Sequence, residues 1–148
     1  MMRILTLCVG NICRSPIAEA LLTREFPQLS VRSAGLSAMV GMPADALATE
    51  IAAVHGLDIS AHRAQQINAT LCQQSELILV MEQSHKNWLE QLYPQVRGKV
   101  FRLGQFGQFE VTDPYRQSMP AFETAYEAIF RGVTDWSHRI RKLSRNPI

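Results

Sequence analysis

A chain of 148 residues, 47% hydrophobic and 19% charged, is long enough for one domain, 1–148, whose core needs no covalent staples. Its formal net charge of +2 is too small for a nucleic-acid footprint, and no run approaches the roughly 18 apolar residues of a membrane span. Three cysteines and no signal-peptide layout are read as free thiols in a cytoplasmic protein.

Arg3 to Val9 is a short apolar run suited to a buried strand. Ser15 is an N-cap candidate and Pro16 suits the first helical position. Ile17, Leu21, Leu22 and Phe26 then form a helical apolar stripe. Ser30 to Ala34 reads as a second strand, stopped by Gly35. Pro43 is expected to open a helix with Leu47, Ile51 and Val54 on one face and Gly56 as its C-terminal cap. A short polar helix is expected over Ile67 to Gln73. Leu77 to Met81 reads as a buried strand, Ser84 to Tyr93 as the helix after it, and Lys99 to Leu103 as a fourth strand. Gly104 to Gln117 reads as a loop. After Ser118 a long helix follows, with Phe122, Tyr126, Ile129, Val133, Trp136, Ile140 and Leu143 in one seam. Arg139, Arg141, Lys142 and Arg145 are read as its solvated end, where cations are favoured.

Strands alternating with helices imply a parallel sheet covered on both faces. Right-handed crossovers then restrict the topology to a doubly wound, three-layer α/β sandwich. The expected sheet is four-stranded and parallel in the order 2-1-3-4, flavodoxin-like. Ligands of such folds sit beyond the carboxyl ends of the strands. At that end of the first strand stands CVGNICRSP, Cys8 to Pro16.

A strand-to-helix turn of this kind aims backbone N–H groups inward, and the helix dipole adds positive charge there. The amides of Val9, Gly10, Asn11, Ile12 and Cys13 are therefore candidates for an oxyanion nest. Gly10 and Asn11 both tolerate left-handed backbone. Arg14 offers a planar fork for two phosphate oxygens. Cys8 at the base of this nest is favoured as thiolate, and the Ser15 hydroxyl can donate to its sulfur. Each residue alone has a plainer reading: Cys8 as a buried small hydrophobe, Arg14 as a surface charge, the two cysteines as metal ligands. No second ligand pair at structural-zinc spacing is present, so no metal and no cofactor is expected. The agreement of all these residues with one strand-to-helix junction favours a nucleophile aimed at bound phosphorus.

The stretch CVGNICRSPIAEALL resembles the signature of the low-molecular-weight protein tyrosine phosphatases. So do SAGL at Ser33–Leu36, HGLDISAHRAQQI at His55–Ile67, ELILVME at Glu76–Glu82 and DPYRQS at Asp113–Ser118. The likeness spans nearly the whole chain. It implies catalytic roles for Cys8, Arg14 and Asp113, the last as general acid; the pair Asp113–Pro114 by itself reads as turn punctuation. It implies attack by Cys8, a phosphocysteine intermediate and an acid-side pH optimum. Leu36 and Met39 after the second strand, and Tyr115 after the acid, are expected as walls for a phosphotyrosine ring. Arg116 is read either as attracting acidic tails or as a solvated charge. Cys13 is either an inert packing residue or, as the resemblance implies, a transient disulfide partner of Cys8; Cys72 is read as buried.

The DPYRQS variant is most similar to bacterial members that accompany exopolysaccharide tyrosine kinases. This implies as partner a phosphotyrosine protein, an autophosphorylating tyrosine kinase of polysaccharide export. One departure is Gln65, where many such proteins carry arginine, so an ion pair there is not expected. His62 and Arg63 are read as loop supports; His55, His85 and His138 show no partner. Two rivals remain. An arsenate reductase on the same scaffold needs two further cysteines where only Cys72 is present, and a non-catalytic phosphopeptide module needs neither Cys8 nor Asp113.

Overall fold

A computed structural model describes residues 2–145. At its centre β1 (Arg3–Cys8) pairs in parallel with β2 (Ser30–Gly35) on one side and β3 (Leu77–Val80) on the other, and β4 (Val100–Arg102) completes the order β2-β1-β3-β4. The register sets Cys8 opposite Gly35 and Leu7 opposite Val80, so the strands end together at the edge that carries the cysteine.

Side chains alternate across the sheet, and the two faces build two cores. Ile4, Cys8, Leu77 and Leu79 point to one side, where they meet α1 (Arg14–Glu25), α2 (Ala46–Val54) and α5 (Met119–Arg145). Leu5, Leu7, Ile78 and Val80 point to the other, against Leu71 of α3 (Ala69–Gln74) and Leu89 of α4 (Gln83–Leu92). The long seam of α5 is buried at Phe122, Tyr126, Ile129, Val133, Trp136 and Ile140. Leu143 leaves it and is half exposed. Arg141 is not simply solvated: it pairs with Glu25 and lies over the Phe26 ring, tying α5 to α1. Arg139 lies over Phe106. The side chain of Arg145 lies outside the described residues.

Several boundaries differ from the sequence expectation for local reasons. Pro43 does not open α2; Asp45 caps it by accepting from the amides of Leu47 and Ala48. Its buried face is Ala48, Ile51 and Ala52, and Val54 is exposed. Gly56, with φ of +78°, does follow that helix. Asn68 caps α3 through the amide of Leu71. Ser15 is no cap at all: α1 starts at Arg14, after Cys13, with no side-chain capping bond.

One glycine sets how closely the layers approach the turn. A Cβ on Gly35 would stand 2.5 Å from the Val9 carbonyl oxygen and 3.0 Å from Ala38. The neighbouring atoms are backbone, so no side chain can swing aside. Gly35→Ala is expected to cost about 2 kcal/mol through overpacking. It is also expected to weaken phosphate binding by displacing the turn after β1; urea unfolding and a phosphate titration on the same protein check both.

Candidate active site

Between β1 and α1 the backbone is asymmetric. Its carbonyls are all occupied from outside: Cys8 O by Leu36 N (2.9 Å), Val9 O by Ser37 N (3.0 Å), Gly10 O by Met39 N (3.0 Å) and Ile12 O by Asp45 N (2.8 Å). The remaining one, Asn11 O, lies 2.6 Å from His62 Nε2, which donates to it. The amides of Gly10, Asn11, Ile12 and Cys13 donate to no protein acceptor among the described residues. Four donors in succession at a helix N-terminus form a concave anion site. Asn11 makes the curvature possible, with φ of +60°. Gly10 is not in the left-handed region, so that part of the expectation falls to Asn11 alone.

The side chains beneath the loop form a chain of directed hydrogen bonds. Asn11 Nδ2 donates to Ser15 Oγ (2.8 Å) and to Ser33 Oγ (3.1 Å). Ser33 in turn donates to Glu19 Oε1 at 2.5 Å. Asn11 Oδ1 accepts from Gln65 N at 2.9 Å. The oxygen of Ser15 is thus taken by Asn11, which leaves its own proton for Cys8 Sγ, 3.0 Å away. The sulfur is therefore met by a hydroxyl donor from below and opens on the cavity that the loop lines. Gln65 also donates Nε2 to Ser33 O at 2.9 Å. The neutral amide of Gln65 thus supports the network, which closes without an ion pair at that position.

Arg14 is 2% exposed and held by two acceptors on Nη1: Glu82 Oε2 at 2.6 Å and Val111 O at 2.8 Å. Its Nε and Nη2 make no protein hydrogen bond among the described residues, which leaves one edge of the fork for a ligand. Asp113 Oδ2 lies 3.7 Å from Nη2. That carboxylate is half exposed, and its Oδ1 accepts from Tyr115 N at 3.0 Å. Gln117 Nε2 donates to the Asp113 carbonyl at 2.9 Å. Arg116, in left-handed backbone (φ +65°), lies over the Tyr115 ring. The acid's loop is thus braced locally, by its own residues, and stands in water.

A cavity of about 170 Å³ joins these groups. It is lined by Cys8, Val9, Gly10, Ile12, Cys13, Arg14, Ser37, Met39, Asp113 and Tyr115. Asn11 and Ser15 lie fully buried behind it. Leu36, expected on the wall, is not there: it is 4% exposed and packs with Leu5, Leu7 and Ile67 on the other face of the sheet. Strand alternation turns Leu36 inward and brings Ser37 to the cavity instead.

Three contributors escaped the sequence reading. Glu82 follows β3 at the same sheet edge as Cys8, and an acid directly after a buried apolar run was the available signal. His85, expected to lack a partner, is buried with Nε2 3.5 Å from Glu82 Oε2. Val111 contributes through its carbonyl, which no side-chain pattern reveals. His55, also expected alone, stacks on Tyr126 with ring centroids 3.8 Å apart.

Residues 3–146 match the family described as low molecular weight phosphotyrosine protein phosphatase. The chain is 51% identical over 140 residues to a probable low molecular weight protein-tyrosine-phosphatase EpsP of Ralstonia nicotianae, covering 95% of this chain and 97% of that one. It is 45% identical over 138 residues to the low molecular weight protein-tyrosine-phosphatase Wzb of Escherichia coli K12, covering 93% and 94%. Among solved structures it is similar to Vibrio vulnificus Wzb in complex with benzylphosphonate, with a TM-score of 0.90 and 43% identity over 93% of this chain and 98% of that one.

All three cysteines are free thiols and buried. Burial first, then the nearby Asp45 carboxylate, pushes the Cys13 thiol far up; burial also raises Cys72. Both are expected to stay protonated and unreactive at pH 8. In Cys8→Ser protein, iodoacetamide should label neither Cys13 nor Cys72 until denaturant is added, as mass spectrometry of the intact chain would report. Labelling of Cys13 in the folded variant would contradict this.

Proposed function

This chain belongs to the low molecular weight phosphotyrosine protein phosphatase family and is a protein-tyrosine-phosphatase, and we propose that it works through a phosphocysteine on Cys8 with Asp113 as general acid. One observation carries this reading. Cys8, an unoccupied edge of Arg14 and the Asp113 carboxylate line the same cavity as Gly10, Ile12 and Cys13, whose amides are free among the described residues.

In the first step the Cys8 thiolate attacks phosphorus in line. The bond from phosphorus to the tyrosine oxygen breaks while protonated Asp113 gives its proton to that oxygen. Phenol leaves and phosphate stays on sulfur. In the second step Asp113, now a carboxylate, takes a proton from water as the water oxygen attacks phosphorus. The sulfur departs as thiolate and inorganic phosphate is released. Through both steps the amides of Gly10 to Cys13 and the Nε–Nη2 edge of Arg14 hold the equatorial oxygens, where charge gathers. The donation from Ser15 to Cys8 Sγ stabilises sulfur as attacker and again as leaving group.

The cavity also favours an aryl ester. Ile12, Met39 and Tyr115 give it apolar sides, and Met39 and Tyr115 flank its open side. A phosphoserine chain is too short to bring its phosphorus down to Cys8 between such walls. The partner we propose is a tyrosine-phosphorylated kinase of polysaccharide export, acted on in the cytoplasm. It rests on the resemblance of the DPYRQS segment and on the likeness to EpsP and Wzb. No helix of the described residues is long and apolar enough to cross a membrane.

Cys8→Ser is expected to abolish hydrolysis of para-nitrophenyl phosphate while inorganic phosphate still binds. Asp113→Ala should lower kcat by about 10²- to 10³-fold on phosphotyrosine peptides, whose leaving group needs the proton. The loss should be smaller on para-nitrophenyl phosphate, whose leaving group needs it less. A burst of nitrophenol in stopped flow, followed by slower steady turnover, is the expected signature of the intermediate. Full activity in Cys8→Ser would end the proposal. A tyrosine-phosphorylated kinase retained on Cys8→Ser protein in the native cell supports the partner; retention of no phosphotyrosine protein removes it.

A further inference from the structure

His85 stands in the first turn of α4, 4% exposed, and the mechanism above gives it nothing to do. Yet its Nε2 lies 3.5 Å from Glu82 Oε2, the same oxygen that accepts Arg14 Nη1 at 2.6 Å. Its other nitrogen, Nδ1, is buried without a hydrogen-bond partner among the described residues. Together these facts place the proton. It belongs on Nε2, facing a carboxylate, and leaves a bare lone pair at Nδ1. A second proton would sit on Nδ1 as an unpaired buried N–H, which is costly.

The surrounding charges come from three elements. Arg14 faces His85 from α1, Glu82 from the start of α4, and Glu110 and Asp113 from the loop before α5. Burial, followed by Arg14, pushes the imidazole below its ordinary range and outweighs the three carboxylates. Glu82, meanwhile, has little else to keep it in place. It precedes α4 without making a capping bond, and its side chain is 29% exposed. Without a second partner on that side, the carboxylate is held only by the guanidinium it is meant to hold.

We propose that His85 is a positioning residue for Arg14: its neutral imidazole fixes the Glu82 carboxylate that anchors the guanidinium beside the phosphate site. The proposal rests on the phosphate-binding role given to Arg14 above. A protonated His85 would act in the opposite sense. As a second cation at the same oxygen it draws Glu82 from Arg14, and the fork loosens. Phosphate affinity therefore carries a contribution that persists through the ordinary histidine range and is lost below it, as pH falls further and His85 charges.

The test is calorimetric titration of the folded protein with inorganic phosphate at pH 7 and pH 5, alongside para-nitrophenyl phosphate kinetics. Three proteins are compared: wild type, His85→Leu, which removes the donor, and His85→Gln, which keeps a donor but cannot titrate. At pH 7 the Kd of His85→Leu should rise about tenfold, the scale of one lost polar contact to a charged group. His85→Gln should stay within about threefold of wild type, a fraction of that same interaction. Between pH 7 and pH 5 wild type should lose affinity relative to His85→Gln, because only wild type gains the competing charge. A ratio of wild-type to His85→Gln Kd that does not move with pH overturns the proposal, as does wild-type affinity in His85→Leu. Should His85→Leu fail to fold, the pH dependence of that ratio decides alone. Phosphate binding needs no turnover, so failure of the hydrolytic mechanism shows separately, as bound phosphate without released nitrophenol.

Discussion

A ring of amides can hold an anion only if the carbonyls of the same loop are engaged elsewhere. Left free, they would point partial negative charge at the ligand or draw the amides into a tight turn. Here every carbonyl from Cys8 to Ile12 has a donor, and those donors come from the segment after β2, from the cap of α2 and from His62. The anion site is thus produced less by the nine residues that form it than by the 30 or so residues that follow β2. It also explains why α1 lacks a side-chain cap. A capping hydroxyl would consume an amide that the ligand needs.

The same economy governs the side chains. Ser15, placed where a cap is expected, turns instead to the sulfur, because Asn11 takes its lone pair and frees its proton. Asn11 in turn is fixed from both ends, by Ser15 and Ser33 at its nitrogen and by Gln65 at its oxygen. A residue held in left-handed backbone costs energy unless its surroundings define it so completely. Arg14 follows the same logic at larger charge. A buried guanidinium needs a carboxylate, and Glu82 supplies it on one nitrogen while the opposite edge stays open.

Against this rigid floor Asp113 stands on a different footing. It is half exposed, and its loop is braced by contacts among residues 113–117. Local bonds of that kind let the loop adjust without disturbing the sheet. Tyr115 belongs to the same braced loop, whereas Met39 is tied to the floor through its amide on Gly10 O.

Periodicity and local chemistry make the architecture legible in the amino-acid order itself. The apolar runs at Arg3–Val9 and Leu77–Met81, the α5 seam and the Cys8–Pro16 turn each depend on near neighbours, and they lead to the four-stranded parallel sheet and to Cys8 and Arg14 at its carboxyl edge. Tertiary structure alone decided which groups complete the site. Leu36 turned into the core because the sheet's alternation runs one residue past the strand, and Ser37 took its place at the cavity. Glu82 and the Val111 carbonyl meet Arg14 across 68 and 97 positions of chain, and His85 reaches the same Glu82 oxygen. No spacing rule reaches that far: residues so distant become neighbours only through the crossing of strands, and their partnership is a property of packing rather than of order.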